Sequence, residues 1–165
     1  MTIIVINNST QHSAKSAIPP SLIEEPMIKN TAFFPHIDPK RMREEMRLEQ
    51  NVTPLRLRSA IKAAIAETNA ELSDWREMQL SNGYARLEDV PTDELDGSSV
   101  RVFHYLNAVR SMTIATLYER FRSVDAGEKG KKIDRIDDCI EEMWRDMRWA
   151  VSRIQDKARC IVGQV

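Results

Sequence analysis

Residues 132–156 read KIDRIDDCIEEMWRDMRWAVSRIQD, and the spacing of their apolar side chains decides the fold. Ile133, Ile136, Ile140, Met143, Met147, Ala150 and Ile154 recur every three or four positions, which places them on one side of a helix in a pattern close to a heptad seam. A seam of that length needs long helical partners. Behind it lies a lysine-rich linker with Gly127 and Gly130, and behind that a stretch, Val100 to Tyr118, whose only acids or bases are Arg101, His104 and Arg110. That stretch is expected to be the most buried helix, capped by Ser98 or Ser99 and ending near Arg122. Further back, Thr53 and Pro54 combine a helix cap with a proline at the first helical position. Leu57, Ile61, Ala64, Ile65, Leu72 and Trp75 then predict one helix to about Leu80, stopped by Asn82 and Gly83. At roughly 1.5 Å per residue it would be about 40 Å long. Asp38 and Pro39 repeat the start signal for a short helix through about Leu48. Tyr84 to Asp96 is an acidic connection with room for one helical turn at Thr92 to Leu95. The reading is all-α: an antiparallel helical bundle of three long helices and one short one.

The ends differ from the centre. Residues 1–30 carry only Lys15, Glu24, Glu25 and Lys29 as charges and many Asn, Ser and Thr, so they are expected to form a flexible arm. Thr31 to Ile37 (TAFFPHI) is extended, because Pro35 prevents a helix. Phe33 and Phe34 either pack on the domain or stand exposed as a partner anchor. The bundle domain then covers 31–156, and 157–165 form an extended C-terminal tail.

A chain of 165 residues suits one domain with tails. Cys139 and Cys160 are too few for a secreted disulfide framework, so synthesis in a reducing cytoplasm is expected. The apolar run Ile3 to Ile6 is too short for a signal peptide or a membrane span. The 24 Lys plus Arg nearly cancel the 25 Asp plus Glu, so no global field marks a nucleic acid or a membrane as partner. Catalytic constellations are missing too. GEKGKK at Gly127 to Lys132 lacks the spacing and the preceding strand of a phosphate loop. No Glu-x-x-His pair of the di-iron type occurs. His12 lies in the arm, His36 beside a proline, and His104 lacks a cysteine or carboxylate at metal-binding spacing. Asp137 with Glu141 and Asp138 with Glu142 read better as a solvated face than as a hard-cation site. No catalytic residue, cofactor or metal is assigned.

Charge layout says more. Lys40, Arg41, Arg43, Arg47, Arg56, Arg58 and Lys62 are seven basic residues against three acidic ones between Lys40 and Lys62. In the second helix this order opposes the macrodipole. Contact with a polyanion or a neighbouring subunit explains it, and so do salt bridges within the chain. Trp144 and Trp149 are five residues apart, about 140° around a helix. Trp144, bordering Met143 and Met147, is assigned to the core, and Trp149 to an assembly surface.

Four segments together resemble a known family: MIKNTAFFPHIDPKRMREEMRLEQ (Met27 to Gln50), LRSAIKAAIAETNAELSDWRE (Leu57 to Glu77), LYERFRSVDA (Leu117 to Ala126) and IEEMWRDMRWAVSRIQDKARCIV (Ile140 to Val162). They are similar to the head completion and stabilisation protein of temperate, contractile-tailed enterobacterial phages. The resemblance runs from about Met27 to the C-terminus. It implies a virion assembly factor, not an enzyme, acting after DNA packaging. Such a factor would join the portal vertex, retain the DNA and complete the head for tail attachment, inside the host cytoplasm and then in the virion. Analogy with other head-to-tail adaptors adds a twelve-membered ring and a C-terminal segment gripping the portal. The implied partners are the portal protein, further copies of the chain, a tail-completion or neck protein and, non-specifically, packaged double-stranded DNA. Lys157, Arg159, Ile161, Val162 and Val165 become portal-docking candidates, unless the tail folds back on its own bundle. A helical DNA-binding protein using residues 40–62 is the other class.

Overall fold

The computed structural model describes residues 26–46, 52–122 and 130–157. Helix α1 spans Pro39–Glu45 and starts where Asp38 accepts a hydrogen bond from the Lys40 N–H at 2.9 Å. Helix α2, Pro54–Glu71, starts where the Thr53 hydroxyl accepts from the Arg56 N–H at 3.3 Å. Both caps stand where their sequence signals put them. The buried face of α2 is Leu57, Ala60, Ile61, Ala64, Ile65 and Thr68, a stripe of the expected period.

The single helix expected to reach Leu80 is in fact two. At Leu72 ψ rises to 4°, and helix α3, Ser73–Ser81, begins on the next residue. Ser73 and Asp74 follow at once, residue types whose side chains compete with the helical ladder. Leu72 stays fully buried, and Trp75 on α3 meets the edge of Phe33 at 6.2 Å between ring centres. The far end is as expected: Gly83 has φ 93°, and Tyr84 N–H bonds to the Gln79 carbonyl at 3.1 Å, closing a left-handed C-terminal cap.

The acidic connection is corrected in detail. Its helical turn is a 3-10 turn at Leu87–Asp89, where Leu87 is buried. Strands β1, Glu94–Leu95, and β2, Ser98–Ser99, form a small antiparallel hairpin instead of a turn of helix. Asp96 (φ 51°) and Gly97 (φ 70°) both adopt positive φ between them. Asp-Gly is the pair that such a two-residue hairpin turn requires.

Helix α4, Val100–Arg122, lies between α2 and α5, Gly130–Ile154. Arg101 meets the end of α5 at Ile154 while Glu119 meets Trp144, so α4 and α5 run antiparallel. Ala108, Ser111 and Ala115 are buried on α4, and Ile140, Met147, Ala150, Val151 and Ile154 on α5. The seam of the quoted stretch is therefore a packing face. Trp144 only borders the core; its indole N–H donates to Glu119 Oε1 at 2.9 Å.

Residues 28–30, assigned above to the arm, are built into the domain. Ile28 and Ile37 exchange backbone hydrogen bonds of 2.8 and 3.0 Å, and both are buried. Phe33 and Phe34 are buried with them, and Phe34 stacks on Tyr105 at 4.7 Å. The aromatic pair belongs to the core and is no exposed anchor. Burying two phenylalanines is worth about 3 to 6 kcal/mol, which offsets the cost of ordering an extended segment.

Candidate functional site

A cleft of about 280 Å³ opens between α4 and α5. Phe103, His104 and Arg110 line it from α4, Trp149 and Arg153 from α5, and Lys157 from just beyond α5. The antiparallel packing brings these six together, because residues near 104 on α4 face residues near 150 on α5. Two of the residues singled out by sequence, Trp149 and Lys157, thus share one site. Phe103 keeps 48% of its surface exposed. The Arg145 guanidinium sits 5.0 Å from the centre of the Trp149 ring, within cation–π range. Asp146 is the one carboxylate on the wall. Partial burial, with Arg153 and Arg101 nearby, holds His104 below its usual pKa. A wall of aromatic rings and cations suits an acidic, partly apolar protein segment.

Within the described residues the side chains of the basic stretch have different surroundings. Arg41 pairs with Glu45 at 2.8 Å. Arg43 donates to the Val52 carbonyl at 2.9 Å, and Arg58 donates to the carbonyls of Pro26 and Met27. These two guanidiniums fasten chain segments, a use of the side chain that charge counting does not reveal. Lys40, Arg56 and Lys62 are exposed, with no ion pair among the described residues. Arg47, Arg159, Ile161, Val162 and Val165 lie outside the described residues.

Sequence reasoning missed Arg101. It is 8% exposed on the first turn of α4. Its guanidinium donates to the Ile154 carbonyl, to the Pro91 carbonyl at 3.2 Å and to Asp156 Oδ2 at 2.7 Å, while lying 5.6 Å from the Trp75 ring. One side chain therefore ties together the loop before the hairpin, α3, and the end of α5 from which Lys157 leaves. Asp156 has φ 56°, and Lys157 N–H bonds to the Ser152 carbonyl at 2.9 Å, a left-handed helix end without glycine. The cue in the sequence was an arginine in a stretch with few charges.

Among the described residues no three His, Cys, Asp or Glu are grouped to hold a metal ion, and no helix is long and apolar enough to cross a membrane. Burial and the nearby Glu142 push the Cys139 thiol up, which leaves it a poor nucleophile. The family model of the phage head completion protein (GPL) matches residues 28–165. The chain belongs to this head completion family. The match begins at Ile28, the residue that opens the antiparallel bridge with Ile37. The chain is 56% identical, over 168 aligned positions covering 100% of it and 99% of the relative, to the head completion/stabilization protein of Escherichia phage P2. No solved structure matches. A phage head completion protein is a structural, virion-associated component, and its role is in virion assembly.

Proposed function

We propose that the protein joins the portal vertex of DNA-filled heads as a head-tail connector ring, retaining the packaged DNA and permitting tail attachment. The role involves no catalysis. Its partners are the portal protein, further copies of itself in a twelve-membered ring, a tail-completion or neck protein on the other side, and packaged double-stranded DNA touched without sequence preference. The observation that carries this reading is the clamp of Arg101 on Ile154 and Asp156. A terminal segment grips a partner with little entropic loss only when its root is held rigidly, and Lys157 leaves from such a root. Lys157, Arg159, Ile161, Val162 and Val165 then supply charge and alternate apolar side chains to the portal.

Deleting Arg159 to Val165 tests this directly. The shortened protein is expected to keep its helical signal and melting temperature and to fail to complement heads lacking the native protein. Completion of heads by the shortened protein would remove the segment from the mechanism. A second reading, direct DNA binding, is favoured by the exposed Lys40, Arg56 and Lys62. It predicts that the isolated protein binds duplex DNA tightly, with an affinity that falls steeply with salt; the connector reading needs DNA contact only within the assembled ring.

A further inference from the structure

We propose that the acidic β1–β2 hairpin of one copy docks into the cleft between α4 and α5 of the next, with Leu95 entering between Phe103 and Trp149. This rests on the reading that copies of the chain meet around the vertex, and it names the contact they make.

The two surfaces match in charge and in character. Asp93, Glu94 and Asp96 surround the hairpin tip, all exposed. The cleft carries Arg110, Arg153 and Lys157 against Asp146 alone. Arg110 is already shared with Glu45 at 3.4 Å and Lys157 is assigned to the portal, which leaves Arg153 as the cation that meets the hairpin. Leu95 is 56% exposed and Phe103 48%, so an apolar group waits on each side of the contact. The hairpin needs little ordering to bind. Its register is set by Glu94 facing Ser99 and Leu95 facing Ser98, and Val100 N–H ties it to the Asp93 carbonyl at 3.0 Å. A preformed loop binds without the entropy cost of folding.

The hairpin and the cleft are different patches of the same chain, and where each copy gives its hairpin to one neighbour and takes the hairpin of another the contact is heterologous. Repetition of one heterologous contact builds a ring when the rotation closes. The chain's formal net charge of -1 leaves little long-range repulsion between copies.

The test uses the full-length protein in completed heads, with Leu95→p-benzoylphenylalanine as photo-crosslinker. Leu95 is exposed, so melting should match wild type. Illumination is expected to yield a dimer on denaturing gels whose linked peptides join position 95 to residues 103–111 or 146–157 of another copy. Arg153→Glu and Glu94→Arg should each lower the yield at least fivefold, and the two changes together should restore it. Links from position 95 to another position 95, to the C-terminal segment, to DNA or to a different protein would overturn the proposal, as would an Arg153→Glu variant that links normally. An amine-reactive crosslinker on the same heads separates the two readings. A ladder of self-multimers without the 95-to-cleft link leaves the ring and removes the hairpin contact; the absence of any ladder removes both.

Discussion

Asn30 and Tyr105 stand seventy-five residues apart in the chain, and the Asn30 amide donates to the Tyr105 hydroxyl at 2.8 Å. The hydroxyl in turn donates to Asn69 Oδ1 at 2.7 Å, and the Asn69 amide donates to Asn30 Oδ1 at 2.9 Å. Three side chains from the N-terminal segment, α2 and α4 thus close a cycle, with Asn30 also bonded to the Pro35 carbonyl at 3.1 Å. Such a cycle specifies one arrangement of the three elements.

Tyr105→Phe keeps the stacking on Phe34 but leaves an amide and a carbonyl oxygen without their partner. The expected loss is about 1 to 3 kcal/mol in unfolding free energy, measured by urea titration. Burial also pushes the Tyr105 hydroxyl well above its ordinary pKa, against the smaller effect of Asn30. The folded-state value is raised, so the unfolded state loses its proton first. Stability from this group is complete below about pH 10 and declines above it. Tyr105→Phe should remove that part of the alkaline decline.

Truncation tests where the domain begins. Removal of residues 1–25 should leave unfolding free energy unchanged within error. Removal of residues 1–30 takes away Ile28 and Asn30 and should cost more than about 2 kcal/mol, the scale of lost burial and broken networks. Equal stability of the two forms would show that the Ile28–Ile37 bridge contributes nothing.

Arg101→Ala should cost about 2 to 3 kcal/mol, because charge-assisted hydrogen bonds to two carbonyls and a carboxylate go together. Asp156→Asn should cost less than about 1 kcal/mol. Asp156 is 72% exposed in its ion pair, water screens the charge, and asparagine tolerates the left-handed backbone. Thermal melts of both variants check the order; a larger effect at Asp156 would reverse the account of the clamp.

The tryptophans separate folding from assembly. Trp144→Ala loses half-buried area and the bond to Glu119, and should cost about 2 kcal/mol, below the 3 to 5 typical of a fully buried tryptophan. Trp149→Ala should melt close to wild type and fail in complementation. The pair is tested by running melts and head-completion assays on the same preparations.

Much of the fold was legible in the sequence, for physical reasons. The caps at Asp38 and Thr53, the apolar stripes of α2 and α5 and the charge-poor stretch of α4 are local patterns, and local patterns survive tertiary packing. The break at Leu72 was not legible, because Leu72 and Trp75 keep helical spacing across it. The hairpin was within reach. Asp96-Gly97 is its turn signal, yet the acidic residues on both sides made the segment look like plain loop. Phe103 and Arg110 could not be joined to Trp149 from sequence, since their meeting depends on the stagger of α4 against α5. Arg101 was illegible for the same reason, its partners being 53 and 55 residues away.

That separation governs when the protein can finish folding as it is made. On a ribosome, α2, α3 and α4 emerge while two of the three groups that hold Arg101, the Ile154 carbonyl and the Asp156 carboxylate, are still unsynthesised. Until residues 154–156 appear, burying that cation is unfavourable, so the start of α4 stays wet. The last turn of α5 acts as a latch on the whole domain. A chain interrupted before it lacks the buried Ile154 and the partners that Arg101 finds at the end of α5.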